Sequence, residues 1–74
     1  MASTSIQTPE DLGRAVYLAR KRLGFTQVEL AGLCGTGERF IVELENGKPT
    51  AALGKALHVA QMLGLEIQAV AAGK

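Results

Sequence analysis

Between Thr26 and Lys48 the chain reads TQVELAGLCGTGERFIVELENGK, and this stretch constrains everything around it. Thr26 is placed to cap a first helix, and Glu29 three residues later completes a capping box. Ala31 stands where a crossing helix must approach closely, so a larger side chain would push the pair apart. Gly35 ends that helix, because so tight a turn favours a residue that tolerates left-handed backbone. Thr36 is then expected to cap a second helix running to about Asn46, with Gly47 as its stop.

On the second helix Phe40, Ile41 and Leu44 share one face, at spacings of three and four residues. Glu38, Arg39, Val42, Glu43 and Asn46 fall on the other. One side packs and the other is presented, which is the helix-turn-helix arrangement that enters a DNA major groove. The small residue, the turn glycine and the apolar anchor at these spacings, together with the phrase LENGK, resemble the Xre/Cro-type repressor family of bacteria and phages. TPEDLG before the first helix and LGLEIQAV after the last are similar to the HipB-like antitoxin-repressors within it. The resemblance spans roughly residues 8–70.

Taken in order, residues 1–7 are small and polar and are expected to be mobile, although TSIQT would make a short strand given a partner. Thr8-Pro9-Glu10-Asp11 is a helix start: a cap, a proline in the first turn, then two acids at the positive dipole end. That helix should run to Leu23 and stop at Gly24, with Leu12, Ala15, Val16, Ala19 and Leu23 as its apolar stripe. Tyr17 and Leu18 lie off the stripe. After Lys48-Pro49, Thr50 is expected to cap a last helix from Ala51 to Leu63. Leu53, Leu57 and Ala60 make its inward stripe, while Val59, Met62 and Leu63 carry apolar surface round to the other side. A helix apolar over most of its circumference should be covered twice, and in so small a domain the second cover is another chain. From Leu65 to Val70 the period changes: Leu65, Ile67 and Ala69 alternate with Glu66 and Gln68, the mark of a half-buried strand. A lone strand has no ladder partner, so either TSIQT or the same strand of a second subunit must supply one. The HipB resemblance implies pairing between subunits. Residues 71–74 should be loose.

The expectation is therefore an all-α domain of four to five helices over residues 8–64, with a dimerisation strand at 65–70. Seventy-four residues make one domain near the lower limit for a single core, and 47% hydrophobic residues are more than so small a monomer hides. Both point to an oligomer. A lone cysteine, Cys34, excludes an intrachain disulfide, and no Cys/His pattern suggests zinc. Cys34 reads as a small core hydrophobe and His58 as a surface or interface residue. No nucleophile with its base, paired-carboxylate cleft or phosphate loop appears, so no enzyme, metal or cofactor is expected. The start of the chain lacks a basic region followed by an apolar run, and no apolar stretch approaches membrane-spanning length. The expected place is the cytoplasm of a bacterium or phage host, at the nucleoid.

A net charge of +1 is weak for a DNA binder, and Glu38, Glu43 and Glu45 on or beside the presented helix would repel phosphate. Arg39 is the best base reader, since its fork bonds guanine bidentately. Glu38 or Glu43 would accept from a cytosine amino group, or else merely solvate the helix with Arg39 bridging to Glu43. Phe40 is either core or a contact to a thymine methyl, and Gly37 lies at the same groove-facing end. Gln27 opens the first motif helix where free N–H groups hold phosphate, and the family anchors the DNA backbone at that position. Asn46 and Lys48 would grip the phosphate chain beyond the far end. The resemblance further implies a structural ion pair between Arg20 and Glu45, and a dimer interface over Val59, Met62, Leu63, Leu65, Ile67 and Ala69. The partners it implies are a palindromic operator, a second copy of the chain, and a HipA-like kinase toxin neutralised by this antitoxin. The rival reading is a protein-interaction module that keeps the fold with weak or no DNA binding.

Overall fold

The computed structural model describes residues 5–72, and in them the chain forms four helices: α1 (Pro9–Leu23), α2 (Gln27–Cys34), α3 (Glu38–Glu45) and α4 (Leu53–Met62). The expected mobile ends, 1–7 and 71–74, fall partly outside the described residues. Local chemistry explains most helix ends. Thr8 Oγ1 accepts from Asp11 N–H at 3.0 Å to open α1, and Gly24 closes it with φ 83°. The Thr26–Glu29 box opens α2 in both directions, at 3.0 and 2.9 Å.

Two caps differ from the sequence reading. Gly37, not Thr36, is the N-cap of α3, and it offers no side-chain bond. Helical backbone begins only at Glu38, so Thr36, whose N–H donates to Ala31 O at 3.0 Å in the closure of α2, stands one residue too early to cap α3. Likewise α4 starts after Ala52 rather than Thr50. Ala51 N–H donates to Lys48 O at 3.3 Å, and this turn through Pro49 and Thr50 delays the helix.

Val16, Ala19, Leu30, Ala31, Ile41, Leu44, Ala56, Val59, Ala60 and Leu63 are buried, and Leu12, Phe25, Phe40, Cys34 and Leu65 pack against them. The phase of α4 corrects the sequence reading. Ala56, Val59, Ala60 and Leu63 face inward, and Leu53 and Leu57 face out with Met62. Val59 and Leu63 are thus core residues of the single chain and have no surface to give a dimer. The helix carries two overlapping apolar stripes, and the one with two alanines is the one that the fold buries. In α1, Leu23 is exposed where an inward position was expected, because Arg20 takes the inward side of the last turn to meet Glu45 of α3. Gly13 and Arg20 are buried in its place.

No strand forms among the described residues, so the expected strand at 65–70 is not present in the single chain. Leu65 is tied to the helix before it: its N–H donates to Ala60 O at 2.9 Å, closing α4 over Gly64.

Gly13 is where α1 and α3 touch. A Cβ there would collide with Leu44 O and stand 2.8 Å from Glu45 O, both backbone atoms that cannot swing aside. Gly13→Ala gains about 1 kcal/mol of helix propensity but must separate the helices, which costs about 3 kcal/mol at the upper end of overpacking. The net expectation is a loss near 2 kcal/mol in chemical denaturation. A more stable variant would show that the helices part without strain.

Candidate nucleic-acid interface

The α2–turn–α3 unit is held from behind by one buried cluster. Arg20, on the inner face of α1, donates from Nε to Glu45 Oε2 at 2.6 Å and from a terminal nitrogen to Glu45 Oε1 at 3.0 Å. Its remaining terminal nitrogen reaches Phe25 O at 2.9 Å, in the connection to α2. Glu45 Oε1 also accepts from Gln27 Nε2 at 3.0 Å. One carboxylate therefore joins α1, the first residue of α2 and the last residue of α3. The Glu45 and Arg20 side chains are only 4% and 9% exposed, and the Arg20 guanidinium lies 5.5 Å from the Tyr17 ring centroid. Hydrogen bonding to Glu45 holds the Arg20 proton more firmly than usual, outweighing partial desolvation.

With its back fixed, α3 presents the opposite face. Gly37, Glu38, Arg39 and Asn46 are exposed, as is Lys48 just beyond the helix. The Arg39 side chain is 91% exposed. Phe40 is half-buried against the core, with Lys55 Nζ 5.7 Å from its ring centroid. Glu43 is bridged by Lys48 Nζ at 3.0 Å and by Arg39 Nε at 3.4 Å. These bonds, Lys48 first, hold its carboxyl below the ordinary glutamate range. Gln27 sits at the start of α2 with its amide nitrogen on Glu45, which fixes the direction of its side chain.

The presented face thus brings together Gly37, Glu38, Arg39, Glu43, Asn46 and Lys48, with Gln27 behind the near end and Phe40 turned into the core's edge. Sequence reasoning missed the Gln27–Glu45 bond and the role of Gly13. A glycine in the middle of a helix was the one available signal for the second; nothing local flags the first.

A helix-turn-helix family profile matches residues 16–70, most of the chain. The chain belongs to the helix-turn-helix family. Within that family it is 52% identical over 69 residues to an uncharacterized HTH-type transcriptional regulator, y4mF, of Sinorhizobium fredii (strain NBRC 101917 / NGR234), covering 93% of this chain and 91% of that protein. The fold is similar to the solved structure described as "HipB-O4 20mer complex", with TM-score 0.84 and 30% identity over 96% of this chain and 100% of that one. It is also similar to a chain of the "HipA-HipB-O2-O3 complex", with TM-score 0.85 and 28% identity over 96% of this chain and 100% of that one. This helix-turn-helix regulator is accordingly of the Xre/Cro type and HipB-like. Among the described residues no helix is long and apolar enough to cross a membrane.

Proposed function

We propose that this chain is the subunit of a dimeric, sequence-specific repressor that reads a palindromic operator with α3. The observation that carries the reading is the exposed Arg39 near the start of α3, on a scaffold similar over 96% of its length to HipB in a complex described with a 20-mer. Arg39 is the base reader, with Gly37, Glu38 and Glu43 beside it. Gln27, Asn46 and Lys48 position the phosphate backbone at the two ends of the motif. Two copies would set their α3 helices in successive major grooves, about 34–36 Å apart. Met62, Leu65, Ile67 and Ala69, joined by Leu53 and Leu57, form the dimer contact, and the 65–70 strands pair between subunits. The likeness to the HipA–HipB complex supports an antitoxin role toward a HipA-like kinase, with autoregulation of a shared operon.

The test is a mobility shift on duplex from upstream of the protein's own gene, over about 50–200 mM salt. Wild type should bind at low salt, and Arg39→Ala should lose about 1–3 kcal/mol per half-site. No shift at the lowest salt, or an undiminished Arg39→Ala complex, would leave the interaction-module reading in possession. The acids on α3 and the net charge of +1 favour that second reading.

A further inference from the structure

The far end of α3 carries a charge arrangement that base reading does not require. Glu43 lies between two cations of its own chain, with Lys48 Nζ on Oε1 at 3.0 Å and Arg39 Nε on Oε2 at 3.4 Å. Lys48 is tied to this residue twice, because its backbone N–H also donates to Glu43 O at 3.0 Å. The closure around Gly47 therefore fixes the Lys48 stem beside the carboxylate. The side chains are 91% exposed for Arg39, 45% for Lys48 and 32% for Glu43, so the acid is the sheltered member of the three. Pairing keeps it ionised. Glu38, adjacent to Arg39, is an exposed acid with no ion pair among the described residues.

We infer that Glu43 is a specificity-determining residue that occupies Lys48 and Arg39 in the free protein and so withholds them from DNA of arbitrary sequence. The inference rests on the DNA-binding reading. Generic affinity for duplex comes from counterions released when lysine and arginine meet phosphate. A cation that must first leave a carboxylate gains little from that exchange, and the acid it leaves repels the backbone. At a matching site the balance differs. Bidentate guanine offers the Arg39 fork two good bonds in place of one long one, so the exchange becomes favourable only where the right base stands. A net charge of +1 is what such a protein would carry: its discrimination comes from suppressed background as well as from contacts made.

Two isosteric variants separate this from simple charge removal. Glu43→Gln and Glu38→Gln delete the same charge from the same helix, but only the first frees held cations. Each is titrated against the upstream duplex and a random duplex of equal length over about 50–200 mM salt, with helicity checked by circular dichroism. For Glu43→Gln, log affinity for random duplex should fall with log salt more steeply by about 0.9 per freed cation. That slope is a further three- to fourfold loss, roughly, across this salt range for each one. Its operator-to-random ratio should fall while operator affinity does not. On random duplex, Glu38→Gln should keep the wild-type slope, and Lys48→Gln should flatten the slope in the Glu43→Gln background but not in wild type. Equal slopes for the two glutamine variants overturn the inference. So does a selective loss of operator binding by Glu43→Gln at unchanged slope, which would make Glu43 a base contact. If wild type binds neither duplex, the DNA reading itself fails, a separate result from a wild type that binds and a Glu43→Gln that matches it.

Discussion

Glu45→Ala is expected to lower folding stability by about 3 kcal/mol, the lower end of the range for stranding one partner of a buried ion pair. The lower end applies because the domain is small and both side chains keep a little exposure, 9% for Arg20 and 4% for Glu45. Even so, a chain of 74 residues has only about 4–11 kcal/mol in total, so the loss is a large fraction of the whole. Three groups lose a partner at once: Arg20 Nε, an Arg20 terminal nitrogen and Gln27 Nε2. Replacing both charges with apolar residues, Arg20→Met with Glu45→Leu, should recover most of the deficit, since no buried charge is then left unpaired. Urea unfolding of the two variants beside wild type measures the difference. If Glu45→Ala unfolds within 1 kcal/mol of wild type, the pair behaves as an exposed one of little worth.

The cluster also shows how far the chain can be read without coordinates. Cap chemistry is local, and so Thr8, the Thr26–Glu29 box, Gly24, Gly35 and Gly64 mark their helix ends correctly from residue type and spacing alone. Thr36 misleads because the turn after α2 is one residue longer than its position suggests, so Gly37 and not Thr36 stands at the cap of α3. The α4 stripe misleads for a different reason. Leu53, Leu57 and Ala60 fit a 3.6-residue period as well as Ala56, Val59, Ala60 and Leu63 do, and hydrophobicity prefers the leucines. The fold buries the alanine side, and which side is buried is set by the neighbouring helices rather than by α4 itself. Gly13 belongs to the same class, since its value lies in the carbonyls of Leu44 and Glu45 thirty residues away. On the presented face, residue types name Arg39 and Lys48 as DNA-facing, but the Lys48–Glu43 bond depends on the chain turning at Gly47.

Ending the chain after Glu66 is expected to leave the four helices intact and to weaken operator binding by about 10²–10⁴, the usual gain from joining two sites. The cut is placed to spare what the single chain needs. Leu65 stays, with its N–H on Ala60 O and its side chain against the core, so α4 keeps its C-terminal closure. What leaves is Ile67 to Lys74, of which Ile67 is 45% and Val70 83% exposed in the isolated subunit. An alternating segment this apolar, with no ladder partner among the described residues of its own chain, gains most from pairing with its copy. Once it is gone, only the outward face of α4 with Leu53, Leu57 and Met62, and the half-buried Leu65, remain to join subunits. Each α3 must then find its half-site alone. Sedimentation should report a single subunit at concentrations where the intact chain is a dimer, with circular dichroism unchanged in shape. A truncated chain that stays dimeric would move the contact to α4. One that becomes monomeric yet binds the operator undiminished would mean that each half-site is read independently and that the tail joins nothing needed for recognition.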